Sequence, residues 1–215
     1  MKNLRYIAIE GPIGVGKTTL AKLLAEEFQA DLVLEEPEKN PFLPDFYKSP
    51  NRFAFQTEVF FMLSRYRQQS ELAQQDLFTQ MKIADYIFAK DWIFAQNNLS
   101  EAEFELYQSI YSLLDTQIPK PDLVIFLQAS VDVLRKRIKK RGISHEKYIS
   151  GRYIETLCQT YNHYFFQYDE TPLLTVNCTE TDIVRNHDDY KEILKGILHM
   201  KKNQIDKHYV SISSQ

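Results

Sequence analysis

Gly11-Pro12-Ile13-Gly14-Val15-Gly16-Lys17-Thr18 is the stretch on which the reading of this chain turns. It matches G-x-x-x-x-G-K-[ST], a loop whose glycines let successive backbone N–H groups point inward around phosphate oxygens. Lys17 is placed to reach the β- and γ-phosphates, and the Thr18 hydroxyl to face Mg²⁺. Thr19 follows in the same first helical turn and joins the phosphate-binding set. A β-rich run, Leu4 to Glu10, leads into the loop, and Lys17 to Phe28 reads as an amphipathic helix leaving it. The positive end of that helix dipole faces the same anion. Glycine is scarce, with 6 in 215 residues, yet three lie in this one loop.

Working outward, Asp31 to Glu35 is a second strand candidate, stopped by Pro37 and followed by a proline-rich loop. Asn51 to Gln75 has a helical pattern so rich in aromatics that burial on more than one side is expected. Phe78 to Ala84 reads as a strand and Tyr86 to Gln96 as a helix. Ser100 with Glu103 is a capping box opening a helix to about Ile118. Asp122 to Leu127 is a near-continuous apolar strand, typical of a parallel sheet buried on both faces. Ser130 caps a basic helix that breaks at Gly142. A helix from Tyr153 to Tyr168, a strand from Leu173 to Val176 and a helix from Asp188 to Met200 complete a single domain over 1–200. The last stretch, 201–215, has weak periodicity and is expected to be a frayed or loosely docked tail. Five strands alternating with helices imply an α/β fold with a mainly parallel sheet. Ligands in such sheets bind beyond the carboxyl ends of the strands, so the segments after Glu10, Leu34, Ala84 and Leu127 should share one cleft.

Bulk properties narrow the function classes. A formal net charge of −3 lacks the basic footprint of a nucleic-acid binder. Cys158 and Cys178 show neither metal nor disulfide spacing. No apolar run approaches the ~18 residues of a membrane span, and the N-terminus lacks signal-peptide organisation. A cytoplasmic setting is expected. No N-K-x-D guanine-reading motif accompanies the phosphate loop. The basic run from Arg135 to Arg141 follows a buried strand and ends beside the cleft. A lid over about 137–150 is therefore expected, with Arg137 and Arg141 neutralising charge on a transferred phosphoryl group; Lys136 and Lys139 read as surface.

IAIEGPIGVGKTTLA, LEEPEKNPFLPDFY, FAFQTEVFFMLSRYRQ, IADYIFAKDWIFA, PKPDLVIFLQAS and RIKKRGISHEKYI, in this order and spacing, resemble the bacterial deoxynucleoside kinase family from Tyr6 to about Leu198. FQTEVFFMLSRY and IADYxxxK look most like its deoxyguanosine kinase subgroup. The resemblance implies a three-layer P-loop kinase fold with a five-stranded parallel sheet and a helical lid. It also implies ATP and Mg²⁺ as cofactors, a small deoxynucleoside as acceptor, and a homodimer built on the helices 51–75 and 101–118. Thr18 and Asp85 would hold the metal. The family's general base, a Glu ending the second strand, falls on Glu35 by spacing from the phosphate loop and from Asn40-Pro41-Phe42-Leu43. Adjacency to Pro37 points instead to Glu36; the spacing weighs for Glu35. Tyr47 and Glu146 fall where the family holds the sugar 3′-hydroxyl. Asp85 matches the acid of the family's Glu/Asp-Arg motif, but Tyr86 stands in place of its arginine, and Ile143 in place of a second lid arginine after Arg141. Lys90, four residues beyond Tyr86, is either the replacement cation or a surface lysine.

The family's base-reading Gln aligns with Glu58. An ionised carboxylate only accepts hydrogen bonds. Guanine offers two adjacent donors, N1–H and the N2 amine, whereas adenine offers a donor beside an acceptor. Glu58 thus favours deoxyguanosine, unless it pairs with Arg65 or Lys90 and reads nothing. Asp91 is a second candidate reader, or a surface acid beside Trp92. Arg65 is expected to organise these acids, and Phe55 to stack on the base. The expected reaction is deoxyguanosine plus ATP giving dGMP plus ADP. The alternatives are a deoxyadenosine/deoxycytidine kinase, a thymidylate-kinase-like monophosphate kinase, or a non-catalytic ATP-binding partner. Glu35, Glu36 and Glu38 speak against the acceptor phosphate that a monophosphate kinase would bind.

Overall fold

Along β1 (Tyr6–Glu10) and β4 (Leu123–Gln128), apolar side chains occupy both faces, and the two strands pair in parallel at the centre of the sheet. The computed structural model describes residues 4–74, 81–181 and 186–212. Because side chains alternate, Ile7, Ile9, Ile125 and Leu127 face one way, and Ala8, Val124 and Phe126 the other. The first set is covered by α1 (Lys17–Phe28) through Leu20 and Leu24. Two further helices, labelled here in chain order, add to that layer: α6 (Val131–Arg141) through Leu134, and α8 (His187–Asn203) through Ile193 and Ile197. The second set is covered by α7 (Gly151–Gln167) through Leu157, Tyr161 and Phe165, with Ile93 of α4 (Lys90–Asn98). Each such side chain removed from water contributes roughly 1.5–3 kcal/mol, so both faces have reason to close.

The remaining strands are β2 (Asp31–Val33), β3 (Lys82–Ala84), β5 (Leu173–Asn177) and β6 (Lys207–Ser211), and the parallel order is β2-β3-β1-β4-β5-β6. Five strands were expected, and the described residues form six. The chain after residue 200 is not simply a tail: Gln204 adopts a left-handed conformation that ends α8, and Lys207–Ser211 then pairs with Leu173–Asn177. As an edge strand with alternate residues exposed, β6 carries little of the apolar signal that marks β4. β2 is shorter than its apolar run because the Glu35 N–H turns to the Asp85 carboxylate at 2.8 Å. The Phe78–Ala84 strand is found from Lys82; residues 75–80 lie outside the described part.

A helical annex stands over the carboxyl end of the sheet. α2 (Leu43–Lys48), α3 (Pro50–Gln74) and α5 (Glu101–Asp115) form it with α4. α3 is buried on two sides as its aromatics imply: Met62 joins Phe88, Tyr107 and Tyr111, while Ala54 joins Leu43 and Phe46. The Ser100–Glu103 capping box is formed. α4 starts at Lys90 and not at Tyr86, because Ile87 donates its N–H to Glu10 Oε2 and the chain turns there first.

Candidate active site

The phosphate loop leaves β1 under geometric constraint. Gly11 and Gly14 have φ of 151° and 84°, and a Cβ on Gly14 would lie 2.8 Å from Ile138 of α6. Only glycine reconciles that backbone with that contact. The Lys17 ammonium donates to the carbonyls of Gly11 and Pro12 at 2.7 and 3.3 Å. Burial, and then the Lys90 charge, pull it down to about 8 against the pull of Glu10, Glu35 and Asp85. Gly14 to Thr19, Arg137, Lys140, Arg141, Cys178 and Thr181 line a cleft of about 460 Å³. Lys140 in this lining was not singled out in the sequence, where it reads as one more charge on a basic helix.

Arg137 lines this cleft with its guanidinium committed to backbone. Its guanidinium donates to the carbonyls of Val15 (2.9 Å), Cys178 (3.0 Å) and Thr181 (2.7 Å), so it braces the phosphate loop against the β5–α8 connection. Arg141 donates to Glu146 at 3.1 and 2.5 Å. Arg141 and Glu146, expected as lid arginine and sugar-site acid, are thus one ion pair, and Tyr47 stacks on His145 beside them. Burial, Tyr153 and Glu146 push the Tyr47 phenol well up, which keeps it neutral.

Thr18 Oγ1 donates to Asp85 Oδ2 at 2.5 Å, across 67 residues of sequence. A hydroxyl and a carboxylate are hard oxygen donors of the kind Mg²⁺ takes alongside water and phosphate. The residues present fit that ion.

Glu35 and Glu36 separate sharply. Glu36 is 37 % exposed in its side chain and pairs with Lys39 at 2.7 Å. Glu35 points inward, held by Arg65, whose Nε donates at 3.0 Å, and by the Lys90 ammonium at 2.5 Å. Burial alone would raise its pKa; Arg65 and Lys90, by charge and hydrogen bonding, outweigh that and hold it well below the usual carboxylate range. Lys90 is 5 % exposed, so it is no surface lysine. Tyr86 is buried against Gln68, to which its hydroxyl donates at 2.7 Å.

Arg65 also bonds the fully buried Asp91, and its guanidinium lies 4.9 Å over the Phe61 ring. Asp91 is therefore not a surface acid, and its Oδ2 has no hydrogen-bond partner among the described residues. Glu58, 2 % exposed, pairs with neither Arg65 nor Lys90; the Asn98 amide donates to its Oε1 at 2.7 Å. Burial pushes the Glu58 carboxyl up to about 7. Phe55 packs against the Met62, Phe88 and Tyr107 cluster, about one helical turn before Glu58. Among the buried acids not singled out in the sequence, one lies beside the phosphate loop. Glu10 accepts the N–H groups of Gly11 (2.8 Å) and Ile87 (3.1 Å) and the Tyr161 hydroxyl (3.0 Å), tying loop, turn and α7 together. An acid ending an otherwise apolar strand was the available signal.

A phosphate loop facing carboxylates at the carboxyl end of a parallel sheet defines a phosphotransferase of the P-loop class. The family model for deoxynucleoside kinases matches residues 7–201. A deoxyguanosine kinase of Bacillus subtilis (strain 168) is 40% identical over 198 residues, spanning 90% of this chain and 96% of that protein. A deoxyadenosine kinase of Lactobacillus acidophilus is 29% identical over 208 residues, spanning 90% and 95%. Among solved structures, a deoxyadenosine kinase from M. mycoides with bound dCTP has a TM-score of 0.76 at 25% identity, covering 93% of this chain and 100% of that one. This chain belongs to the deoxynucleoside kinase family, and its activity is the phosphorylation of a deoxynucleoside.

Proposed function

We propose that this kinase moves the γ-phosphoryl group of ATP to the 5′-hydroxyl of deoxyguanosine, giving dGMP and ADP. The O5′–Pγ bond forms as the bond from Pγ to the ADP oxygen breaks, and the hydroxyl proton passes to Glu35. A carboxylate held so acidic is a weak base. That suits a loose phosphoryl transition state, in which the attacking oxygen keeps its proton until late. Lys17 and the loop N–H groups neutralise charge on the donor phosphates, and Mg²⁺ held by Thr18 and Asp85 would add to this when bound. Tyr47 and Glu146 receive the 3′-hydroxyl, and a close-packed Tyr47 disfavours a ribose 2′-hydroxyl.

The observation that carries the choice of base is Glu58, a buried carboxyl with no cation on it. Its ionised form accepts from guanine N1–H and N2–H together. Asp91 Oδ2 is a second acceptor for an exocyclic amine, and Phe55 is the stacking candidate. The 40% identical deoxyguanosine kinase agrees with this reading. Steady-state assays with Mg-ATP and each of the four deoxynucleosides test it: deoxyguanosine should rank first above about pH 7.5. A different acceptor ranked first there would refute it.

A homodimer is proposed on α3 and α5, where Leu63, Leu106 and Leu113 are exposed. A cytoplasmic setting is proposed as well; both cysteines are free, as a reducing compartment requires.

A further inference from the structure

The only hydrogen-bond partner of Glu58 among the described residues is an amide. Asn98 donates to Oε1 at 2.7 Å, and the carbonyl of Asn98 accepts from Asn97 at 2.9 Å, which fixes the amide with its NH₂ toward Glu58. The charged groups near Glu58 are otherwise engaged: Arg65 of the same helix with Glu35 and Asp91, and Lys90 of α4 with Glu35. The Glu35 carboxylate, at the end of β2, repels a charge on Glu58. The other titratable groups facing it are Tyr47 of α2, Tyr107 of α5 and Tyr153 of α7, phenols that burial keeps neutral. Asn98 can only donate to Oε1, so that oxygen is an acceptor in every state, and a proton taken up goes to Oε2.

The two states of Glu58 therefore present two different edges. Ionised, it offers two acceptors, the complement of guanine N1–H and N2–H. Neutral, it offers an acceptor at Oε1 beside a donor at Oε2, the complement of the adenine N6 amine and N1. We infer that the kinase has a second acceptor, deoxyadenosine, taken by the neutral form of Glu58, beside the deoxyguanosine taken by the ionised form. This rests on the reading of Glu58 as the base-contacting group. Burial without a counter-ion brings the carboxyl to about 7, so both forms are populated near neutral pH.

The test is the ratio of kcat/KM for deoxyguanosine to kcat/KM for deoxyadenosine, measured from about pH 6 to about pH 8 across the Glu58 titration. Groups that act on the transfer itself, Lys17 and Glu35 among them, affect both acceptors alike and cancel in this ratio. The wild-type ratio should rise about tenfold per pH unit, because the ionised-to-neutral ratio of one carboxyl does so. Glu58→Gln, fixed as donor plus acceptor, should favour deoxyadenosine with a ratio independent of pH. A flat wild-type ratio with deoxyguanosine still phosphorylated overturns the second acceptor and leaves the deoxyguanosine reading standing. Phosphorylation of neither nucleoside overturns both. The wild-type measurement decides even if the variant does not fold.

Discussion

The two halves of the cleft are built from different materials. The proposed donor half is organised around backbone: a glycine loop and a helix N-terminus, with Lys17 and Arg137 donating to carbonyls there. The proposed acceptor half is side chains, with Glu35 after β2, Arg65 of α3, and Lys90 and Asp91 of α4 wired into one ion-paired cluster. A backbone cradle recognises any triphosphate, because every nucleotide carries the same phosphates. A cluster of buried charges recognises one arrangement of donors, because an unpaired buried polar group costs a large share of the binding energy. On the proposed reading, generic binding rests on the loop and its lysine, and selective binding on the acidic cluster.

Substitutions can break that division. The largest effect is expected from Lys17→Met, which should lower kcat roughly ten-thousandfold with every acceptor alike; an acceptor-dependent loss would show that the halves are not separate. Glu35→Gln should lower kcat roughly a thousandfold, while Glu36→Gln, in an exposed pair with Lys39, should leave it within about twofold. Turnover lost in Glu36→Gln instead would reassign the base. Arg65→Met should destabilise the fold by about 3–5 kcal/mol in denaturant titrations, since it leaves the buried Asp91 without its cation and Glu35 with Lys90 alone. The same cluster makes the protein acid-sensitive. Glu35 is held below its unfolded value, so its stabilisation is complete above about pH 4.5 and is lost as pH falls below that. Thermal unfolding across that range should show it, and Arg65→Met should flatten it. The smallest effect is expected for Arg137→Ala, a rise of about tenfold in the KM for ATP from a loosened loop, with acceptor ranking unchanged.

The same division explains what was legible from residues alone. The phosphate loop and α1 are contiguous and local, so motif and helix bounds were found as the structure has them. That Glu35 and not Glu36 turns inward agrees with the spacing, because the turn after β2 is short. Lys90 and Asp91 were not resolved between surface and interior, since only the packing of α4 on α3 decides it. The contacts of Arg137 with three carbonyls were not legible, because a basic helix does not say which of its charges meet backbone. β6 was missed because an edge strand is half polar; Gly196 was the overlooked sign, a helical glycine whose Cβ would stand 3.1 Å from Val210 on that strand.

The central claim is that a carboxylate in the acceptor half chooses the base, and Glu58→Gln tests it most directly. With Mg-ATP at about pH 8, where the wild-type carboxyl is mostly ionised, kcat/KM is compared for the four deoxynucleosides. Wild type should prefer deoxyguanosine, and the variant should lose about a hundredfold on it relative to deoxyadenosine. An unchanged ranking would contradict the account and move the choice of base away from Glu58.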